Sequence, residues 1–264
     1  MLNFESIELE IDESNNLAIV FFNRPNQFNA FNIKLIDELI LAFNSISGDN
    51  RIRCLILTGR GKAFCAGGDV IEFRNAEKPD EFMSNLVGRL HTGLKILKNM
   101  GIVSIAAING ACFGAGLGYA SACDFRICSE NATFGCAFTK IGLSPDSSST
   151  WHLPKLVGLS LANEMLFLNR VLNAGEALQF SLVNKIIKPE EFIEEVKKFA
   201  LVICQGSPIA FSYTKKLIKE SYSNNLETHL EKEAESIVKA AGTEDFQEGL
   251  KAFFDKRNTN FKGK

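Results

Sequence analysis

The sequence predicts an α/β domain followed by a helical region, and three observations carry that prediction. Between about residues 50 and 190, short apolar runs ending in glycine alternate with helical repeats, the pattern of strands joined through helices. From about Glu190 onward the short apolar runs stop, and four amphipathic segments take their place. The chain has 264 residues, 46% of them hydrophobic, enough for one large core or a core with a smaller appendage.

The elements follow in order. Ser6–Ile11 and Leu17–Phe22 read as two strands joined through the polar Glu13–Asn16 turn. After the break NRPNQ, Ile33, Leu35, Ile36, Leu39, Ile40 and Phe43 recur at helical spacing. Cys54–Leu57 is a short buried strand ending at Thr58-Gly59, followed by a long loop and a helix near Glu81–Met100. Val103–Ile108 is the next strand, ending at Asn109-Gly110, with a short helix starting near Ala115 and a further strand at Asp124–Cys128. Glu190–Ile203, Pro208–Ser221, Leu226–Ala241 and Phe246–Arg257 read as closing helices. We place the division at 200, with a site-bearing core over 1–200 and a helical region over 201–264.

Charge and composition exclude several classes. The 29 Lys+Arg nearly balance 31 Asp+Glu, so nothing in the net charge of -2 favours nucleic acid or an anionic membrane as partner. The first twenty residues carry Glu5, Glu8, Glu10, Asp12 and Glu13 and no basic stretch, so no signal peptide and a cytoplasmic location are expected. The longest apolar stretch, Ile102 to Ala122, is broken by four glycines and does not read as a membrane span. Seven cysteines, none spaced as CxxC, with only three histidines, are expected to be buried thiols, with no disulfide framework and no metal site.

Two glycine-rich segments stand out. The first, Thr58–Asp69, follows a strand, where ligands approach α/β sheets. It is no P-loop, because Ala63 follows Gly61-Lys62, and no dinucleotide fingerprint, because Phe64 stands in place of the third glycine. The second, Asn109–Gly118, also follows a strand and enters a helix, whose N-terminal amides favour negative charge. Taken singly, such glycines serve turns and close packing. Taken together, two bare amides aimed at one point make an oxyanion hole, worth roughly 3–4 kcal/mol per donor.

The segment GKAFCAGGDV resembles the motif of the crotonases, the enoyl-CoA hydratase/isomerase superfamily. NRPNQFNAFN at 23–32, IAAINGACFGAG at 105–116 and EGLKAFFDKR at 248–257 resemble its other landmarks, in the same order. The resemblance implies a crotonase-type spiral of ββα repeats with a C-terminal helical region, assembled as a homotrimer or a dimer of trimers. It also implies a coenzyme A thioester as substrate, with coenzyme A present only as part of that substrate and no separate cofactor. The oxyanion amides would be those of Gly68 and Ala115. Backbone around Ala30, Ala66 and Val70 would hold the adenine side, with Asp69 fixing the loop. Phe253 and Lys256 would reach adenine and phosphate from a neighbour's C-terminal helix, and Arg24 and Asn26 are phosphate candidates. Read without the resemblance, Lys256-Arg257 equally complement the dipole of a helix end.

The hydratase members of that family place water between two glutamates. The matching positions here are Gly118 and Phe138, neither of which carries a proton. Asp146, in FTKIGLSPDSSST, is the carboxylate that remains. It reads either as the N-cap of a helix starting near Ser147 or, by resemblance to the 3,2-enoyl-CoA isomerases and the phenylacetate-pathway isomerase, as a catalyst. One carboxylate suffices to take a proton from C2 and return one to C4. Phe138 is also expected to help shape the acyl pocket. His91 is the second catalytic candidate, because its spacing resembles that of the histidine in 4-chlorobenzoyl-CoA dehalogenase, where an Asp nucleophile stands at the Asp146 position. Phe138 departs from that enzyme's tryptophan. A lone helical histidine is more often structural, and His152 and His229 read so. The expected activity is an isomerase-type shift of a double bond. The alternatives are an Asp/His hydrolase or dehalogenase of CoA thioesters, a hydratase with an atypical acid/base set, and a non-catalytic relative.

Overall fold

The computed structural model of the chain describes residues 4–264. β1 (Ile7–Asp12) and β2 (Leu17–Phe22) form the antiparallel hairpin, in register from Ile7↔Phe22 to Asp12↔Leu17. Parallel strands β3 (Cys54–Gly59), β5 (Val103–Ile108), β7 (Phe125–Ser129) and β10 (Lys185–Ile187) extend it into a six-stranded sheet, ordered β1-β2-β3-β5-β7-β10. β2 is buried at every position because both its faces are covered. Ala18, Val20 and Phe22 enter the larger core, while Leu17, Ile19 and Phe21 enter a second one. An unbroken apolar run is therefore what a two-sided strand requires.

A second, four-stranded sheet runs β4 (Ala63–Cys65), β6 (Ala111–Phe113), β8 (Thr133–Gly135) and β9 (Leu172–Asn173). Each turn of the chain contributes one strand to each sheet and then a helix. β3-β4 leads to α2 (Val70–Asn75) and α3 (Pro79–Asn99), β5-β6 to α4 (Ala115–Ala122), and β7-β8 to α5 (Ser149–Phe167). This is a spiral of ββα units, packed on α1 (Ile33–Ser47). The sequence reading treats β4, β6 and β8 as loop or leaves them unread, since three residues carry too little alternation to register as strands. α6 (Ala174–Gln179) completes the core, opening on a capping box between Asn173 and Glu176.

The division drawn at 200 falls inside α7 (Phe192–Cys204). Val196, Ala200 and Cys204 of that helix pack on Ile19, Cys54, Ile56 and Ile105, so it belongs to the spiral. The chain leaves the core near Gln205. α8 (Pro208–Glu220) and α9 (Leu226–Ala241) bury no residue fully, and α10 (Glu244–Asp255) buries only Asp245 and Ala252. The Asp245 carboxylate accepts the backbone N–H groups of Lys262 and Gly263 and the Ser207 hydroxyl, tying the tail to the start of α8. Exposed Leu226, Ile237, Val238, Phe253 and Phe254 leave these helices with apolar surface facing outward. Among the described residues, no helix is long and apolar enough to cross a membrane.

Candidate active site

The two glycine segments meet. Gly67 (φ +107°) and Gly114 (φ +52°) occupy conformations that favour glycine, and a Cβ built on Gly114 would lie 3.3 Å from the Gly67 Cα. Each glycine immediately precedes one of the two expected donors. Gly68 faces Phe31 in a single parallel bridge, in which Phe31 N–H donates to Gly67 O (2.7 Å) and Asp69 N–H to Phe31 O (2.9 Å). Gly68 uses neither of its own polar groups there. Ala115 opens α4, so its N–H has no acceptor within the helix. Among the described residues neither amide has an acceptor. Gly116 lets α4 lie directly on β4, because a Cβ there would stand 2.6 Å from the Cys65 Cβ.

Side chains hold this cradle. Asn29 donates from Nδ2 to the carbonyls of Arg60 (2.9 Å) and Ala63 (2.7 Å), and Asn109 donates to Gly61 O (3.0 Å). Arg24 bonds Ala30 O and pairs with Asp69 at 2.8 Å. The other Asp69 oxygen accepts the Ile71 N–H and caps α2. The Arg24 guanidinium thus clamps the 24–30 turn to the Gly68 segment. Ala30 is buried beside it, Ala66 and Asn26 are exposed, and Val70 is exposed at the start of α2. Phe253 and Lys256 lie on and at the end of α10, which packs on α9. Phe253 is 77% exposed, and neighbouring Arg257 is held by Glu248 at 2.7 Å.

Asp146 lies in the loop before α5, and the His91 Nε2 on α3 sits 2.6 Å from its Oδ1. The Ser147 hydroxyl donates to Oδ2 at 3.2 Å. The competing cap role is not what the carboxylate does. α5 starts at Ser149 with Ser148 as N-cap and no side-chain cap bond, and only the Asp146 backbone carbonyl meets the helix, at Ser149 N–H. With 21% of the Asp146 side chain and 45% of the His91 side chain exposed, both are reachable.

Gly118 makes this placement possible. A Cβ at 118 would lie 2.1 Å from the Ser147 carbonyl oxygen, so the backbone next to Asp146 fills the space where a side chain would begin. Phe138 stands at the other end, its ring 3.8 Å from a Cβ built on Gly114. Tyr119 is the residue that sequence reasoning missed. Its phenol fills the gap left by Gly93 and donates to Leu90 O at 2.8 Å, fixing α3 next to His91. Burial first, and then the Asp146 charge, push that phenol well above its ordinary range. A lone tyrosine in the small-residue helix GLGYASA was the available signal.

His152 bonds the Ser148 hydroxyl (2.9 Å), and burial, with Lys98 nearby, lowers its pKa to about 4. His229 lies 3.6 Å from Glu233. All seven cysteines are free thiols and buried. An apolar cavity of about 880 Å³ lies between α3, α5 and α8. Leu94, one turn beyond His91, and Ser148, two residues beyond Asp146, are in its wall, while Gly68 and Ala115 are not.

The fold is a spiral of ββα units, with free backbone amides at Gly68 and Ala115. The Enoyl-CoA hydratase/isomerase family model matches residues 12–264, and the chain belongs to that family. A crotonyl-CoA hydratase of Syntrophomonas wolfei is 34% identical over 98% of both chains. A trans-2-decenoyl-[acyl-carrier-protein] isomerase of Streptococcus mutans is 30% identical over 100% of both. An enoyl-CoA hydratase structure from Bacillus anthracis superposes with a TM-score of 0.94 at 31% identity, covering 98% of this chain and 100% of its own.

Proposed function

We propose that the chain moves a double bond in an enoyl thioester of coenzyme A, from C3=C4 to C2=C3. The observation that carries this reading is the single carboxylate. Asp146 is held by His91 and Ser147, while the position where a hydratase relative would carry an acid is closed by the Ser147 carbonyl. Asp146 takes the proton from C2, the C–H electrons form C1=C2, and the C1=O pair moves onto the thioester oxygen, giving a dienolate in which C3=C4 is conjugated. The Gly68 and Ala115 amides take up the charge on that oxygen. The protonated Asp146 then delivers the proton to C4, leaving C2=C3 and a carboxylate ready for another turnover. His91 and Ser147 fix the two carboxylate oxygens, so one group can reach both carbons of one face.

The backbone around Ala30, Ala66 and Val70 would hold the adenine side of coenzyme A. The apolar surface of α9 and α10 supports assembly as a homotrimer or a dimer of trimers, in which Phe253 and Lys256 would reach a neighbour's substrate. The trans-2-decenoyl-[acyl-carrier-protein] isomerase of Streptococcus mutans supports an isomerase activity on this scaffold. The test is conversion of a 3-enoyl-CoA in D2O. The expected result is deuterium at C2 or C4 with no gain of water. Asp146→Asn should lose 10²–10⁴ in rate while still binding the ester. A product heavier by one water, or an unimpaired Asp146→Asn, overturns it.

The His91–Asp146 contact also supports a second reading, an Asp nucleophile with a His base that hydrolyses or dehalogenates the thioester's acyl group. Release of free acid or halide, abolished by His91→Asn, would select it.

A further inference from the structure

Cys54 opens β3 and Cys204 closes α7, and neither takes part in the thioester chemistry. α7 lies across the sheet face that contains Ile19, Cys54 and Ile56, so both thiols share one interface. Three contacts fix Cys204 beside Cys54. Its Sγ lies 3.7 Å from the Asn16 carbonyl. That carbonyl accepts the N–H of Arg53, the residue before Cys54, at 2.8 Å. Arg53 Nη1 in turn donates to the Cys204 carbonyl at 2.9 Å. Both cysteines belong to the same buried cluster between α7 and the sheet.

The pair is not equivalent. Cys204 lines a polar pocket of about 250 Å³ with Ser14, Asn16, Arg53, Gln205 and Asn260, whereas Cys54 lies behind it with no exposed surface. The neighbouring Cys54 thiol and the Arg53 charge lower the Cys204 pKa against the opposing effect of burial, while the Cys204 thiol and burial raise that of Cys54. A thiol with a lowered pKa, facing a pocket and backed by a second thiol, is the arrangement of redox-sensitive cysteines. Cys65 and Cys112, register partners across β4 and β6, are also adjacent but have no exposed surface.

We propose that Cys204 is a peroxide-reactive thiol and Cys54 its resolving partner. The Cys204 thiolate attacks one oxygen of a hydroperoxide. The O–O bond breaks, an alcohol (or water) leaves with a proton, and Cys204 becomes a sulfenic acid. The Cys54 thiolate attacks that sulfur, an S–S bond replaces the S–O bond, and the departing hydroxide leaves as water with the Cys54 proton. The two thiols together lose two electrons, and the hydroperoxide is reduced. The disulfide would staple α7 to β3 on the sheet face opposite the larger core.

The test exposes the folded chain to a small molar excess of hydrogen peroxide, then denatures, alkylates and digests it for mass spectrometry. The expected result is two alkylation sites lost of the seven cysteines, one Cys54–Cys204 cross-linked peptide, and reversal by dithiothreitol. Cys54→Ser should leave a sulfenic acid on Cys204 that dimedone traps. Cys204→Ser and Cys204→Ala, each checked by thermal melting, should give neither product. The Asp146→Asn variant should cross-link like the unmodified chain, which separates this chemistry from the thioester reaction. Seven alkylated cysteines after peroxide, a cross-link between another pair, or dimedone labelling elsewhere in Cys54→Ser would overturn the proposal.

Discussion

Replacing Gly118 by alanine adds one methyl group at the point where α4 touches the loop carrying Asp146. That carbon would lie 2.1 Å from the Ser147 carbonyl oxygen and 2.8 Å from its Cβ, where ordinary contact begins at 3.4 Å. Ser147 has no exposed surface, and it and Ser148 both have positive φ (54° and 66°), so the loop is confined. Overpacking of this kind costs roughly 1–3 kcal/mol of stability. Relief requires Ser147 to move by about 1 Å, a misplacement that costs on the order of 10²-fold in rate, or about 2.7 kcal/mol at 1.36 kcal/mol per decade. Urea unfolding reads the first quantity, and deuterium exchange on a 3-enoyl-CoA reads the second. Gly88→Ala is the matched control. That glycine lies inside α3 with nothing within 4 Å of a built Cβ, so the change should be neutral or stabilising by up to about 1 kcal/mol. If Gly118→Ala keeps the stability and rate of the unmodified chain, Ser147 does not hold Asp146 in place as described. By the same geometry, Gly118→Glu should not create hydratase activity.

Ala115→Pro removes one proposed oxyanion donor at the first position of a helix, where proline is tolerated. It should lower kcat by about 10²–10³ with an unchanged far-ultraviolet spectrum, and an undiminished rate would remove Ala115 N–H from the mechanism. His152 has its folded pKa lowered from 6.5 to about 4, so the folded chain binds fewer protons than the unfolded chain between those values. This stabilisation is complete above pH 6.5, falls as pH drops, and amounts to a loss of about 3 kcal/mol by pH 4. His152→Asn should flatten the corresponding slope in urea midpoints, and an identical slope would refute the assignment. Tyr119→Phe removes the bond to Leu90 O without emptying its volume. A lower kcat with KM unchanged is expected of a residue that positions α3, and an unchanged kcat would show that it does not.

The linear sequence determined those features that local chemistry controls. β2, β3 and β5 were legible because strands covered on both faces need unbroken apolar residues, and α1 because one buried face imposes a helical repeat. The glycines at 67 and 114 were legible as turns, since few other residues accept their φ values. Only the tertiary structure decided the rest. β4, β6 and β8 are too short to show alternation and exist because the spiral aligns them side by side. The α7 boundary was set by its packing on the sheet, which no local pattern announces. Asp146 reads as a cap from its local sequence and as a catalyst by resemblance, because the distinction is where its carboxylate points. α3 carries His91 to within 2.6 Å of it across 55 residues. Gly118 looks like a simple loss of an acid, and becomes a requirement only when the Ser147 carbonyl is seen to occupy that space. Long-range contacts of this kind are absent from any local window, so the fold had to place them.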